Sequence, residues 1–260
     1  MESSVLTEKR GKVLIIKLNV PKKLNPLGPI LRENLKLVLR NFESDQESQV
    51  AILTGEGKAF SAGGDLEALK VGMKSVKDAA DDVKGSNVIP FLIANIEKPI
   101  IAAVNGPAYG AGFSVAIACD LVIASTEASF MQAFTKVGLM PDMGSLYFLP
   151  RLVGTQKAKE LIWTAKMIKA DEAMAMGIVN EVVKHENLES HVIALANKIA
   201  DGPTPAIGFV KTILARSLEG NLDDILAYER LGQALCLLSE DHKEGVAAFF
   251  GKRKPIFSSK

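Results

Sequence analysis

Asp142 is the only charged side chain in VGLMPDMGSLYFLP, the stretch from Val137 to Pro150. Met140, Pro141, Met143, Leu146, Tyr147 and Phe148 flank it, and no Lys or Arg lies between Lys136 and Arg151. A segment of that composition reads as buried. Burial disfavours the ionised form of a carboxylate and makes it a stronger base once ionised. Two roles fit. Asp142 can cap a helix starting at Met143, with Pro141 just before it. It can equally be the acid/base group of an active site. The two roles are compatible.

Two glycine turns could work with such a carboxylate. GEGKAFSAGGDLEAL spans Gly55 to Leu69, and NGPAYGAGFSVAI spans Asn105 to Ile117. Each follows an apolar, strand-like run and opens a helix. Glycine lets the backbone take positive φ and lets a ligand come close to the main chain. The unsatisfied amides of a helix start favour developing negative charge. Neither turn is a nucleotide loop. In the first, Ala59 follows the Gly-Lys pair where a P-loop needs Ser or Thr, and Ile52 replaces its first glycine. In the second, Val115 stands where GxGxxG needs its last glycine. The plain alternative is a pair of tight strand-to-helix turns that hold nothing.

Other chemistries lack their parts. His185, His191 and His242 fall in polar stretches, form no HExxH and pair with no CxxC, so neither a metal nor a His-dependent triad is expected. Cys119 and Cys236 sit in apolar helical contexts and make no disulfide framework, which suits a reducing cytoplasm. The opening MESSVLTEKR lacks the basic and apolar regions of a secretory signal, and no run of about 18 apolar residues is available to span a bilayer. A formal net charge of +1 over 260 residues gives no reason to expect nucleic acid or an anionic membrane as partner.

The elements that must position these residues alternate in type. KVLIIKL (Lys12 to Leu18), QVAILTG (Gln49 to Gly55), IIAAV and LVIAS (Leu121 to Ser125) read as strands, nearly all apolar as expected when both faces are covered. PILRENLKLVLRNF carries Leu31, Leu35, Val38, Leu39 and Phe42 at helical spacing, and AGFSVAIACD reads as a small-residue helix. Met73 to Asn95 reads as a helix whose polar half, KDAADDVKGSN, also suits a loop. ADEAMAMG is a helix stopped by Gly177, and IVNEVV is the last convincing strand. From Glu186 only helical patterns follow, broken most clearly at DGPTP. The order predicts an α/β fold with much parallel pairing. The apolar helical tail must pack on the body or on a neighbouring subunit.

NVPKKLNPL, GKAFSAGGDLEAL, KPIIAAVNGPAYGAG, CDLVIAS, DEAMAMGIVNEVV and EGVAAFFGKRKPIF occur in this order. Together they closely resemble the enoyl-CoA hydratase/isomerase (crotonase) superfamily over essentially the whole chain. The resemblance implies a spiral of ββα units over residues 1–195 and a helical C-terminal trimerisation region over 196–260, assembled as a homotrimer or a dimer of trimers. It implies an acyl-CoA thioester substrate, with coenzyme A entering as part of the substrate and no separate cofactor. The thioester oxygen would be held by the amides of Gly64 and Ala111. Contacts to the coenzyme A portion would fall to Gly63, Asp65, Leu66, Lys22, Lys23 and Lys252, with Phe249 beside the adenosine. As sequence features alone, these lysines read equally well as solvated surface charges.

The family's hydratases use two glutamates, at the positions matching Ser114 and Phe134. Serine is a poor base at neutral pH and phenylalanine cannot exchange a proton. Asp142 matches the acidic residue of members that shift a double bond. One carboxylate suffices there, taking a proton from the α carbon of the enoyl thioester and returning it at the γ carbon. Ser114, Phe134, Met140 and Met143 are then expected to line the acyl pocket, Ser114 by permitting close helix packing. Hydration by another base, nucleophilic attack by Asp142, and ligand binding without turnover are the competing readings.

Overall fold

A computed structural model of the chain describes residues 3–70 and 72–258. The larger sheet has six strands in the order β1 (Val5–Arg10), β2 (Val13–Leu18), β3 (Val50–Gly55), β4 (Ile100–Val104), β6 (Leu121–Ser125) and β9 (Glu181–Val183). Only β1 runs antiparallel to its neighbour; every other pair is parallel. The smaller sheet has three strands, β5 (Pro107–Tyr109), β7 (Ser129–Met131) and β8 (Ile168–Lys169). After β4 the chain passes to β5, returns for β6, then leaves again for β7. It therefore winds between the two sheets.

The apolar runs fall where the sequence places them, because both faces of the larger sheet are covered. One face meets α1 (Pro29–Ser44), α4 (Val88–Asn95) and α5 (Ala111–Ala118) through a core that includes Ile16, Leu53, Leu39, Phe42, Ile93 and Phe113. The other face, through Val13, Ile15, Ile52 and Ile101, packs on Leu188, Val192, Ala196 and Ala200 of α8 (Leu188–Ala200). The boundary expected at residue 195 thus falls inside a helix that closes the second core. The chain breaks instead at Gly202 and Pro203, after which α9 (Thr204–Arg216), α10 (Leu222–Leu238) and α11 (Glu240–Phe250) follow.

One strand went unread and two further expectations are corrected. The polar opening stretch contains β1, an edge strand with Glu8, Lys9 and Arg10 exposed; an edge lined with charge carries no apolar signal. The stretch from Met73 to Asn95 is two helices, α3 (Val76–Ser86) and α4, meeting at Asn87. The segment around Asp142 is buried only in part. Val137, Leu139, Met140 and Leu146 are exposed, while Pro141 and Met143 are enclosed. The short strands β5, β7 and β8 went unread because two or three residues are too few to show a period. Among the described residues, no helix is long and apolar enough to cross a membrane.

Candidate active site

The two glycine turns lie side by side. Ser61 and Ala108 form a parallel bridge between them. The Ser61 N–H donates to the Pro107 carbonyl at 3.1 Å, and the Tyr109 N–H donates to the Ser61 carbonyl at 2.9 Å. Glycine is required at this seam. A methyl group built on Gly63, whose φ is +98°, would lie 2.6 Å from the Tyr109 oxygen. One built on Gly112 would lie 2.5 Å from the Ser61 oxygen. The same virtual carbon on Gly63 stands 3.4 Å from the Ala111 nitrogen, so the Gly63–Gly64 corner faces the start of α5. Among the described residues, the amides of Gly64 and Ala111 have no protein acceptor.

Two buried asparagines brace the first turn, and sequence reasoning missed both. Asn25, fully enclosed with φ +53°, donates to the carbonyls of Glu56 and Ala59 at 2.9 and 2.8 Å. Its own carbonyl accepts the Ser61 hydroxyl at 2.7 Å. Asn105 donates to the Gly57 carbonyl at 2.9 Å and accepts the Gly55 N–H at 3.3 Å. The available signal was an Asn next to Pro or Gly inside each motif, LNP and VNGP, since Asn readily satisfies turn backbone and tolerates left-handed φ.

Short hydrogen bonds connect the second turn to Asp142. The Gly110 N–H donates to the Met131 carbonyl at 2.8 Å. The next side chain, buried Gln132, donates to the Ser145 hydroxyl at 2.5 Å. Ser145 in turn donates its N–H to the Asp142 carbonyl at 3.1 Å. It begins α6 (Ser145–Thr164), a helix kinked at Gly154.

Asp142 caps nothing. Met143 and Gly144 both take left-handed φ, +50° and +80°, so α6 starts at Ser145 and has no side-chain cap. Instead the Asp142 Oδ1 is enclosed without a hydrogen-bond partner. Burial pushes its carboxyl above the ordinary aspartate range, opposed by the guanidinium of Arg32 and by its own backbone N–H, with Asp82 adding to the upward push. Arg32 belongs to α1 and forms a two-pronged ion pair with Asp82 of α3, at 3.0 and 2.7 Å. The cation absent from the local sequence is thus supplied from about a hundred residues away. Arg32 follows Leu31 on an amphipathic helix, and nothing in that pattern marks it out.

The remaining candidates separate. Phe134 is 9% exposed, and its ring comes within 3.8 Å of a methyl built on Gly110. Ser114 is fully buried on α5 and bonds back to the Gly110 carbonyl at 3.3 Å, a helix-packing serine. Met143 is enclosed, but Met140 is 70% exposed and is no part of an enclosed pocket within this chain. Asp65 accepts the N–H groups of Glu67 and Ala68 at 3.0 and 3.3 Å, capping α2 (Leu66–Lys70), where Leu66 is exposed. Lys22 and Lys23 lie exposed in the turn Pro21–Lys23, with Lys23 paired to Glu67. Phe249 and Lys252 stand at the end of α11. Phe249 lines a 570 Å³ apolar cavity whose walls all come from residues 203–257, none from the glycine turns. Among the described residues, no cluster of His, Cys, Asp or Glu could hold a metal.

Two amides without a protein acceptor and a partly buried carboxylate of raised pKa are the parts needed for proton transfer next to a carbonyl that becomes an enolate. An α/β enzyme of the crotonase fold is the class these features define. The family model described as enoyl-CoA hydratase/isomerase matches residues 8–260, and the chain belongs to that acyl-CoA-processing family. It is 39% identical to the short-chain-enoyl-CoA hydratase of Clostridium acetobutylicum, over 97% of this chain and 96% of that one. It is 35% identical to the 1,2-epoxyphenylacetyl-CoA isomerase of Escherichia coli, over all of both chains. The crystal structure of an enoyl-CoA hydratase from Bacillus anthracis superposes with a TM-score of 0.94 at 32% identity, covering 99% of this chain and 100% of that one.

Proposed function

We propose that the protein moves the double bond of an enoyl-CoA thioester from the β,γ to the α,β position. The carboxylate of Asp142 takes a proton from the α carbon. The electrons pass into a dienolate whose oxygen is held by the amides of Gly64 and Ala111. The carboxylic acid so formed returns the proton at the γ carbon, and no other reactant is consumed. Fixed amides stabilise the charged intermediate more than the neutral thioester, which is what speeds the step. The observation that carries this reading is the enclosed, unpartnered Oδ1 of an Asp142 that caps no helix. Ser114 and Phe134, at the positions of the hydratase glutamates, support it by leaving this carboxylate to act alone. Coenzyme A would be met by Gly63, Asp65, Leu66, Lys22 and Lys23.

In this reading Phe249 and Lys252 reach that portion from a neighbouring subunit of a homotrimer or dimer of trimers. The exposed Leu222, Leu226, Leu231, Leu235 and Leu238 of α10 favour such an assembly. Hydration is the second reading, favoured by relatives named as hydratases.

The deciding experiment incubates the protein and Asp142→Asn with trans-3-hexenoyl-CoA and, separately, with trans-2-hexenoyl-CoA. Conjugated product at unchanged mass, lost in the variant, is expected. A product heavier by one water would replace isomerisation with hydration. Binding without turnover of either substrate would overturn both.

A further inference from the structure

Asn87 closes α3 and precedes α4, yet its side chain caps neither helix. Its Oδ1 accepts the N–H of Met143 at 3.2 Å, from 56 positions away in sequence. The carbonyl of the same peptide unit, that of Asp142, accepts the Ser145 N–H at 3.1 Å. Both polar groups of the Asp142–Met143 peptide are therefore held, one by the α3–α4 junction and one by α6. A peptide unit is planar, so holding its two polar groups fixes the plane that follows the Asp142 Cα and narrows the ψ from which its side chain leaves the chain.

The geometry held in this way is one the segment would not adopt unaided. Met143 and Gly144 are consecutive left-handed residues, and methionine disfavours that region. Such conformations persist when their surroundings over-determine them. Here the Met143 side chain is buried, and a methyl built on Gly144 would lie 2.8 Å from the Phe148 ring. Asn87 is exposed, but the end of α3 that carries it is anchored. Asp82 ties α3 to Arg32 of α1, and Lys36 of α1 donates to the Gly85 carbonyl at 3.2 Å.

We propose that Asn87 is a positioning residue for Asp142. Its side-chain oxygen, by holding the Met143 N–H, aims the carboxylate at the reacting carbons. The proposal rests on the reading of Asp142 as the proton shuttle. A displacement of about 1 Å at a reacting group can cost a hundredfold in rate. The charged groups facing Asp142 are Arg32 and Asp82.

The test compares wild type, Asn87→Ala and Asn87→Asp, the last keeping an acceptor oxygen, at a pH where Asp142 is ionised. Turnover of trans-3-hexenoyl-CoA is measured, together with the carboxyl ¹³C titration of Asp142 in the free protein. Asn87→Ala is expected to lower kcat by about tenfold to a hundredfold while KM changes by no more than about twofold. Asn87→Asp should recover most of the loss. The Asp142 midpoint should move toward the ordinary aspartate range in Asn87→Ala, because a released turn lets the carboxylate reach water. Unchanged kcat would overturn the proposal, as would a loss that Asn87→Asp fails to rescue. If the wild type leaves the substrate unchanged, the reading of the function fails separately. The titration needs no substrate and still decides, since an unmoved midpoint overturns the role of Asn87 and a shifted one supports it.

Discussion

The Tyr109 N–H donates to the Ser61 carbonyl at 2.9 Å, and this bond helps lock two glycine turns from distant parts of the chain into one unit. The unit exists only if the backbones approach closely. Gly63→Ala puts a methyl group 2.6 Å from the Tyr109 oxygen at a φ of +98°. It is expected to lower kcat by about a hundredfold or more, the scale of losing one oxyanion donor. Steady-state kinetics beside far-UV circular dichroism checks this. Wild-type turnover in a folded Gly63→Ala protein would show that the seam plays no part in catalysis.

The raised pKa of Asp142 sets two pH effects. A base must be ionised to act, so kcat/KM should rise with pH through a midpoint above the ordinary aspartate range. The stability effect has the opposite sense. Between the unfolded and the folded pKa the folded state binds more protons, so stability contributed at low pH is lost as pH rises through the folded value. Asp142→Asn should therefore melt at a higher temperature than wild type at pH 8, with the gap closing in acid. Melting curves at pH 4 and pH 8 decide. A gap that is constant, or that widens in acid, contradicts the assignment.

Ser114 and Phe134 are expected to matter for shape alone. Ser114→Ala removes one buried hydroxyl bonded to Gly110, a loss of about 1 kcal/mol in stability. Turnover should stay within about threefold of wild type, because no proton passes through that oxygen. Phe134→Leu should change KM across acyl chains of different length more than kcat. A large, chain-independent fall in kcat for Ser114→Ala would give the hydroxyl a chemical role.

Lys211 of α9 fastens the C-terminal helices to the body. Its ammonium donates to Asp120 at 2.8 Å and to the carbonyls of Ile93 and Lys98 at 2.9 and 3.3 Å. Asp120 also accepts the Ile100 N–H at 2.7 Å at the start of β4. Removing one partner of this partly exposed pair leaves the other charge and two carbonyls less well matched, so Lys211→Met should cost about 1–2 kcal/mol. Adding Asp120→Asn should return part of it. Urea unfolding of wild type, both single variants and the double variant measures this, and additive losses would rule out the coupling.

Much of this protein was legible in the order of its residues. Uninterrupted apolar runs such as IIAAV mark strands covered on both faces, and the Leu31, Leu35, Leu39, Phe42 spacing marks a helix with one buried stripe. Both signals are local, so sequence suffices. The glycine turns were equally plain, because only glycine tolerates a backbone oxygen 2.6 Å from where a side chain would begin. Chain order and motif content also fixed the family.

The surroundings of Asp142 were not legible in its own segment. PDMGS reads as a helix cap until Met143 and Gly144 turn left-handed and start the helix at Ser145. The charges around the carboxyl come from Arg32 and Asp82, and the anchor of its peptide comes from Asn87. All three lie on other elements, more than fifty positions upstream. Local pattern reports which face of an element is apolar. The surroundings of one side chain depend on which distant elements meet there, and only the tertiary structure decides that.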